Sequence, residues 1–184
     1  MSYLLIFVCA LLLGFILLTH KRRPSAAFVS AQAASTCSAV QDCAAICLPK
    51  IHSLYPDFDA QHCTKQAEET LVSIFQSISQ QDSSLLVHSH PRLKKQVDYI
   101  IASQQLDGRL TPFDAVTLRQ TALAGCRQEE DHFHITFQCA LRCLNYTLCN
   151  DEITKGSPTE EQHYIYNVVL DTDEWLFTYF ERSQ

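Results

Sequence analysis

From His132 to Cys143 every second residue is apolar: Phe133, Ile135, Phe137, Cys139, Leu141 and Cys143 alternate with His132, His134, Thr136, Gln138 and Arg142. A period of two sustained this long describes a strand with one face in a core and the other toward water. After Cys143 the phase flips to Leu144, Tyr146 and Leu148. A one-residue slip is what a β-bulge produces, so the spacing predicts a long, bent strand with a bulge near 143–145. The polar stretch NDEITKGSPTEE is expected as a loop, followed by the strand HYIYNVVLD, a turn at Asp171–Glu174, and the strand WLFTYFE. Val116–Ala124 reads as an earlier strand ended by Gly125. The carboxyl-terminal half is therefore expected to be a curved antiparallel sheet.

Such a sheet needs helices over one face, and the preceding residues supply them. Ala60, Cys63, Ala67, Leu71, Ile74 and Ile78 recur in steps of three and four, with Lys65, Glu68, Glu69, Gln76 and Gln80 opposite. Asp57 or Asp59 is placed to cap the start of that helix. Pro91 opens a second helix with a Leu93, Val97, Ile100, Ile101 stripe, and Gly108 follows as its C-cap. A shorter helix carries Cys37, Val40, Cys43 (or Ala44) and Cys47, with Pro49 expected to stop it. Helices first and sheet after make an α+β domain.

Ahead of this domain, Tyr3–Leu18 is apolar but for Gly14, long enough for a short membrane-spanning helix. Lys21-Arg22-Arg23 follows the run and no basic residue precedes it, which favours an uncleaved anchor over a signal peptide. The expected organisation is an anchor over 1–20, a linker with a short Cys-containing helix over 21–54, and the α+β domain over 55–184. The basic flank places the domain on the cytoplasmic side of the inner membrane. All 20 acids but only 11 of the 14 Lys and Arg lie after Pro24, a net charge of −9. That sign opposes nucleic-acid binding.

The stretch YPDFDAQHCTKQAEETLVSIFQSISQQDSSLL resembles the opening of the Tim forty-four-like domain family. Pro56, Asp57 and Phe58 keep its turn residues in altered order, and Gln81, Asp82 and Leu85 fit the exit into the next helix. Tyr146, Asp151, Glu152, Thr154, Gly156, Glu161, Tyr164, Trp175 and Leu176 stand where the family's closing pattern wants them. The resemblance covers roughly Tyr55 to Phe180. It implies a cystatin-like or nuclear-transport-factor-two-like cone, in which helices pack inside a curved sheet. It also implies a membrane-anchored, non-enzymatic binding or adaptor protein, engaging a protein translocation or assembly partner, or lipid. The cysteine load and the acidic balance depart from the family.

The residues leave several chemistries to compare. Cys43 and Cys47 lie one helical turn apart and could share a metal with Cys37, and with Cys63 or His52 as a further ligand. Cys139 and Cys143 on a strand are too far apart to bridge each other and read as core. Buried free thiols, disulfides in an exported domain, and a metal site all remain open for the cysteines. His88 with His90, and His132 with His134, are His-x-His pairs. The second shares one strand face, but no carboxylate-bearing strand is evident beside it. There is no G-x-S-x-G, phosphate-cradling Gly loop or H-E-x-x-H. Asp98 and His134 are the pair to test for catalysis on this fold, whose rival reading is a small-molecule pocket protein or enzyme. No cofactor is expected. The aromatic residues of the last strands read as packing, with Tyr146, Tyr164, Tyr166 and Trp175 as candidate lining of an apolar pocket.

Overall fold

The computed structural model describes residues 43–183, all within one compact unit, Ala39–Gln184. Among the described residues no helix is long and apolar enough to cross a membrane; the expected anchor, Cys37 and most of the linker lie outside them.

The chain is α+β, with helices packed on a curved antiparallel sheet. A helix over residues 43–54 (α1) is followed by α2 (Ala60–Gln80), a 3-10 turn (Ser83–Leu85) and α3 (Pro91–Leu106). The strands are β1 (Arg109–Leu110), β2 (Phe113–Glu129), β3 (His132–Cys149), β4 (Glu152–Asp171) and β5 (Leu176–Arg182). β1 and β2 lie in succession along one side of β3, β4 along the other, and β5 beyond β4, every pairing antiparallel.

The alternation in β3 is realised residue for residue. Phe133, Ile135, Phe137, Cys139, Leu141 and Cys143 are buried, and the residues between them half-exposed. The apolar stripe of α2 meets this face, joined by Leu93, Val97 and Ile101 of α3. Asp59 caps α2, its carboxylate accepting from the backbone N–H of Gln61 and His62. Gly108 takes a left-handed φ of 60° immediately after the Asp107 cap of α3.

Four local expectations fail, each for a physical reason. Pro49 does not stop α1, which runs to residue 54. The ring sits on the exposed side, while Cys47 and Ile51, one turn apart, hold the helix to the core. Residues 43–54 of the segment assigned to the linker thus pack against the domain. The strand expected to end at Gly125 runs on to Glu129, with a register shift between Leu123 and Gly125. The polar stretch 150–161 is not a loop. Asn150 and Asp151, at φ 51° and 64°, form a two-residue hairpin of the primed type, and β4 starts at Glu152. Finally, the bulge lies where the phase flip puts it but not on β3. Between Leu144–Tyr146 of β3 and Glu161–Gly156 of β4 the extra residues, Pro158 among them, belong to β4. Between Asp114 and Thr117 the extra residue belongs to β2.

Candidate functional site

At one end of the sheet three segments converge. Tyr55-Pro56-Asp57-Phe58 is a turn joining α1 to α2, with the Phe58 N–H donating to the Tyr55 carbonyl at 3.1 Å and Pro56 second in the turn. The β4–β5 turn brings Trp175 up beside it in a left-handed conformation, φ 57°. The β2–β3 hairpin, Glu130-Asp131, completes the set.

Tyr55 locks these segments together. Its hydroxyl donates to the Asp131 carbonyl at 3.1 Å and accepts from the Thr172 hydroxyl at 3.1 Å. Thr172 in turn accepts from the Phe133 N–H at 2.8 Å, and its own N–H donates to the Phe133 carbonyl at 3.0 Å. The Trp175 ring meets Tyr55 edge-on at 5.2 Å and lies tilted over Phe58 at 6.2 Å. The result is a groove of about 440 Å³ lined by Leu54, Tyr55, Phe58, His62, Cys63 and Trp175, with Asp57 and Asp59 on its margin. Within it Leu54 stays 44% exposed and Trp175 40% exposed. Large apolar side chains held by fixed neighbours yet left open to water suit a contact surface.

The four aromatic residues expected to line one pocket occupy separate places. Trp175 lines this groove. Tyr164 and Tyr166 are buried core residues, Tyr166 packing edge-on against Phe75 at 5.1 Å. Burial pushes the Tyr166 phenol up to about 12. Tyr146 donates to the Asp114 carboxylate at 3.1 Å, on the stretch of β3 paired with the start of β2. A sequence stripe cannot separate these roles, because burial depends on which helix covers which part of the strand.

The cysteine set is not assembled either. The seven described cysteines are free thiols, and Cys43, Cys47 and Cys63 do not gather as a metal-binding group among the described residues. Cys47 contacts Cys126 of β2, and burial first, then that neighbour, pushes its thiol up to about 11. Burial does the same to Cys63. His52 uses Nδ1 against the Pro56 carbonyl at 3.2 Å. His88 pairs with Glu69 at 3.1 Å, and His90 caps α3 by accepting from the Arg92 N–H at 3.0 Å. Asp98 is exposed on α3, and the acids beside His134 are others.

Those acids correct the expectation that no carboxylate flanks the His132–His134 pair. Glu129 of β2 stands opposite His132 across the hairpin, and Asp171 of β4 opposite His134. His134 Nε2 lies 3.1 Å from Glu129 Oε2, and its Nδ1 3.9 Å from Asp171 Oδ2. His132 Nε2 is 3.9 Å from Asp171 Oδ1, and the two imidazoles meet edge-on at 5.2 Å. The hydrogen bond from His134 holds the Glu129 carboxyl below the usual carboxylate range. The pair was visible in the sequence; its acidic flanks follow from strand register.

No known family model matches the chain, and no curated protein matches it. Among solved structures, the intermembrane-space region of the chloroplast protein ARC6 overlaps it at 12% identity and a TM-score of 0.48, covering 69% of this chain and 98% of that one. A periplasmic fragment of TraM overlaps at 14% identity and a TM-score of 0.34, covering 69% and 96%. Likenesses at this level carry no functional reading, so the site is read from its own residues.

Proposed function

We propose that this chain is a non-enzymatic binding module of the Tim forty-four-like kind, a helix-filled cone tethered to the inner membrane through Tyr3–Leu18 with its domain on the cytoplasmic side. It engages a protein of a translocation or membrane-assembly machine through the Tyr55–Trp175 groove. The observation that carries this is the pair Leu54 and Trp175, large apolar side chains exposed in a groove whose walls are fixed by Tyr55. Asp57 and Asp59 beside them suit a segment that presents an apolar side chain next to a basic one. Tethering raises the local concentration of the module near the membrane, so individual contacts can be weak.

The test is site-specific photocrosslinking in intact membranes, with a benzophenone side chain at Leu54 or Trp175 and a control at Tyr99, exposed on α3. The expected result is one partner, captured at the same segment from both groove positions and not from Tyr99, and lost on Asp57→Lys. Equal capture from all three positions, or recovery of only a bound metabolite, would overturn the assignment.

A further inference from the structure

On the outer face of the sheet, Glu129, His132 and His134 each offer a ligand atom, and those atoms lie within 4.8 Å of one another. We propose that they form a site for a borderline divalent cation of the zinc class, with Asp171 holding the imidazole of His134 in place. The proposal stands apart from the groove and does not depend on its occupant.

The chemistry follows from the donor set. Two imidazoles and one carboxylate suit Zn²⁺ and its neighbours, whereas Mg²⁺ and Ca²⁺ ask for oxygen-rich shells. Ligand bonds of about 2.0–2.2 Å at tetrahedral angles set donor atoms roughly 3.3 Å apart. The Glu129–His134 pair already stands at 3.1 Å and all three donors within 4.8 Å, so closure draws the donors together through side-chain rotation on a partly exposed face. Three chain ligands leave one position for water or for a group from a partner.

Register produces the set. His132 and His134 share a face because strand side chains alternate, and Glu129 reaches them because the hairpin places it opposite His132. Arg127 binds Oε1 of Glu129, which leaves Oε2 as the single ligating oxygen. With His134 coordinating through Nε2, its Nδ1 stands 3.9 Å from Asp171, and closing that gap completes the carboxylate–histidine–metal arrangement that fixes ring orientation. Asp171 is itself anchored, accepting from the Asp173 N–H at 3.0 Å at the head of the turn that carries Trp175.

Isothermal titration of the full chain in detergent with Zn²⁺ alone tests the site, with Co²⁺ as a spectroscopic reporter. The expected outcome is one saturable Zn²⁺ per chain and a Co²⁺ visible band of tetrahedral intensity without a thiolate charge-transfer band. His132→Asn with His134→Asn abolishes both signals, and so does the separate variant Glu129→Gln. Asp171→Asn keeps the Co²⁺ band but weakens affinity about 10–100-fold. A titration without saturable heat overturns the proposal, as do histidine variants that bind like the parent. A Co²⁺ spectrum dominated by thiolate transitions does so too, by assigning the ion to cysteine.

Discussion

Replacing Gly156 by alanine should damage this domain more than its position in a polar, exposed stretch suggests. Gly156 pairs with Tyr146 just beyond the β4 bulge and sits at φ 77°, where an L side chain costs about 1–2 kcal/mol. A Cβ there would lie 2.3 Å from the Asn145 carbonyl oxygen and 2.9 Å from the Tyr146 Cα. Both are backbone atoms of β3, so no side chain can swing away. The strands must separate by about 1 Å to restore ordinary contact. That movement disturbs a knot of hydrogen bonds, in which the Asn145 carbonyl accepts from Gln162 and its amide donates to the Pro112 carbonyl. Losing one or two of these, at about 1 kcal/mol each, brings the expected cost to about 2–4 kcal/mol. That is a large share of a typical domain's stability. Gly125→Ala is the control. It lies in β2, where an added methyl would meet nothing within 4 Å and φ is not positive, so it should fall within about 1 kcal/mol of the parent. Denaturant titration of both variants decides the matter. Equal effects, or a Gly156→Ala midpoint matching the parent, would refute the close-approach argument.

Three other outcomes follow from the same structure. Phe137→Ala, removing a fully buried ring from the middle of β3, should lose about 3–5 kcal/mol by denaturant titration, while Thr136→Ala on the outer face stays within about 1 kcal/mol. Burial pushes the Cys139 thiol from 9.0 up to about 12. The unfolded chain therefore releases its proton first, and stability should be intact below about pH 9 and fall as pH rises toward 12, by up to about 1.4 kcal/mol per pH unit for that group. A denaturation midpoint whose alkaline slope is unchanged by Cys139→Ala would refute this. Native-state thiol labelling should spare the buried Cys63, Cys139 and Cys143 long after Cys43 and Cys149 react, and mass spectrometry of quenched digests reads the order.

What the sequence disclosed depended on periodicity. The β3 face and the α2 stripe were legible because each element is wet on one side and dry on the other. The first half of β4 was not, since residues 152–161 are mostly exposed and carry no alternation to detect. Only the paired left-handed residues Asn150 and Asp151 mark the hairpin there. Pro49 misled because the carbonyl that its missing N–H leaves unpaired, at Ala45, lies on the exposed side of α1 where water can satisfy it, while Cys47 and Ile51 hold the dry side to the core. The groove was beyond reach: Tyr55 and Trp175 are far apart in the chain, and their rings meet only once the β4–β5 turn folds against the α1–α2 turn, which the Tyr55–Thr172 hydrogen bond fastens to it. Of the metal-class cluster, the histidines were visible and Glu129 was hidden by ending β2 too early.

The margins of the sheet decide how a partner cannot bind. At β5, the Phe177 N–H donates to the His88 carbonyl, the Phe177 carbonyl accepts from the His90 N–H, and Gln96 satisfies both backbone groups of Phe180. At the opposite margin β2 is interrupted by register shifts after Asp114, Leu118 and Leu123. An incoming extended peptide therefore finds the Phe177 and Phe180 backbone groups of β5 already taken and only short uninterrupted runs along β2, so strand addition is blunted at these two places. A partner that docks along β5 is gripped by side chains, not by a shared ladder.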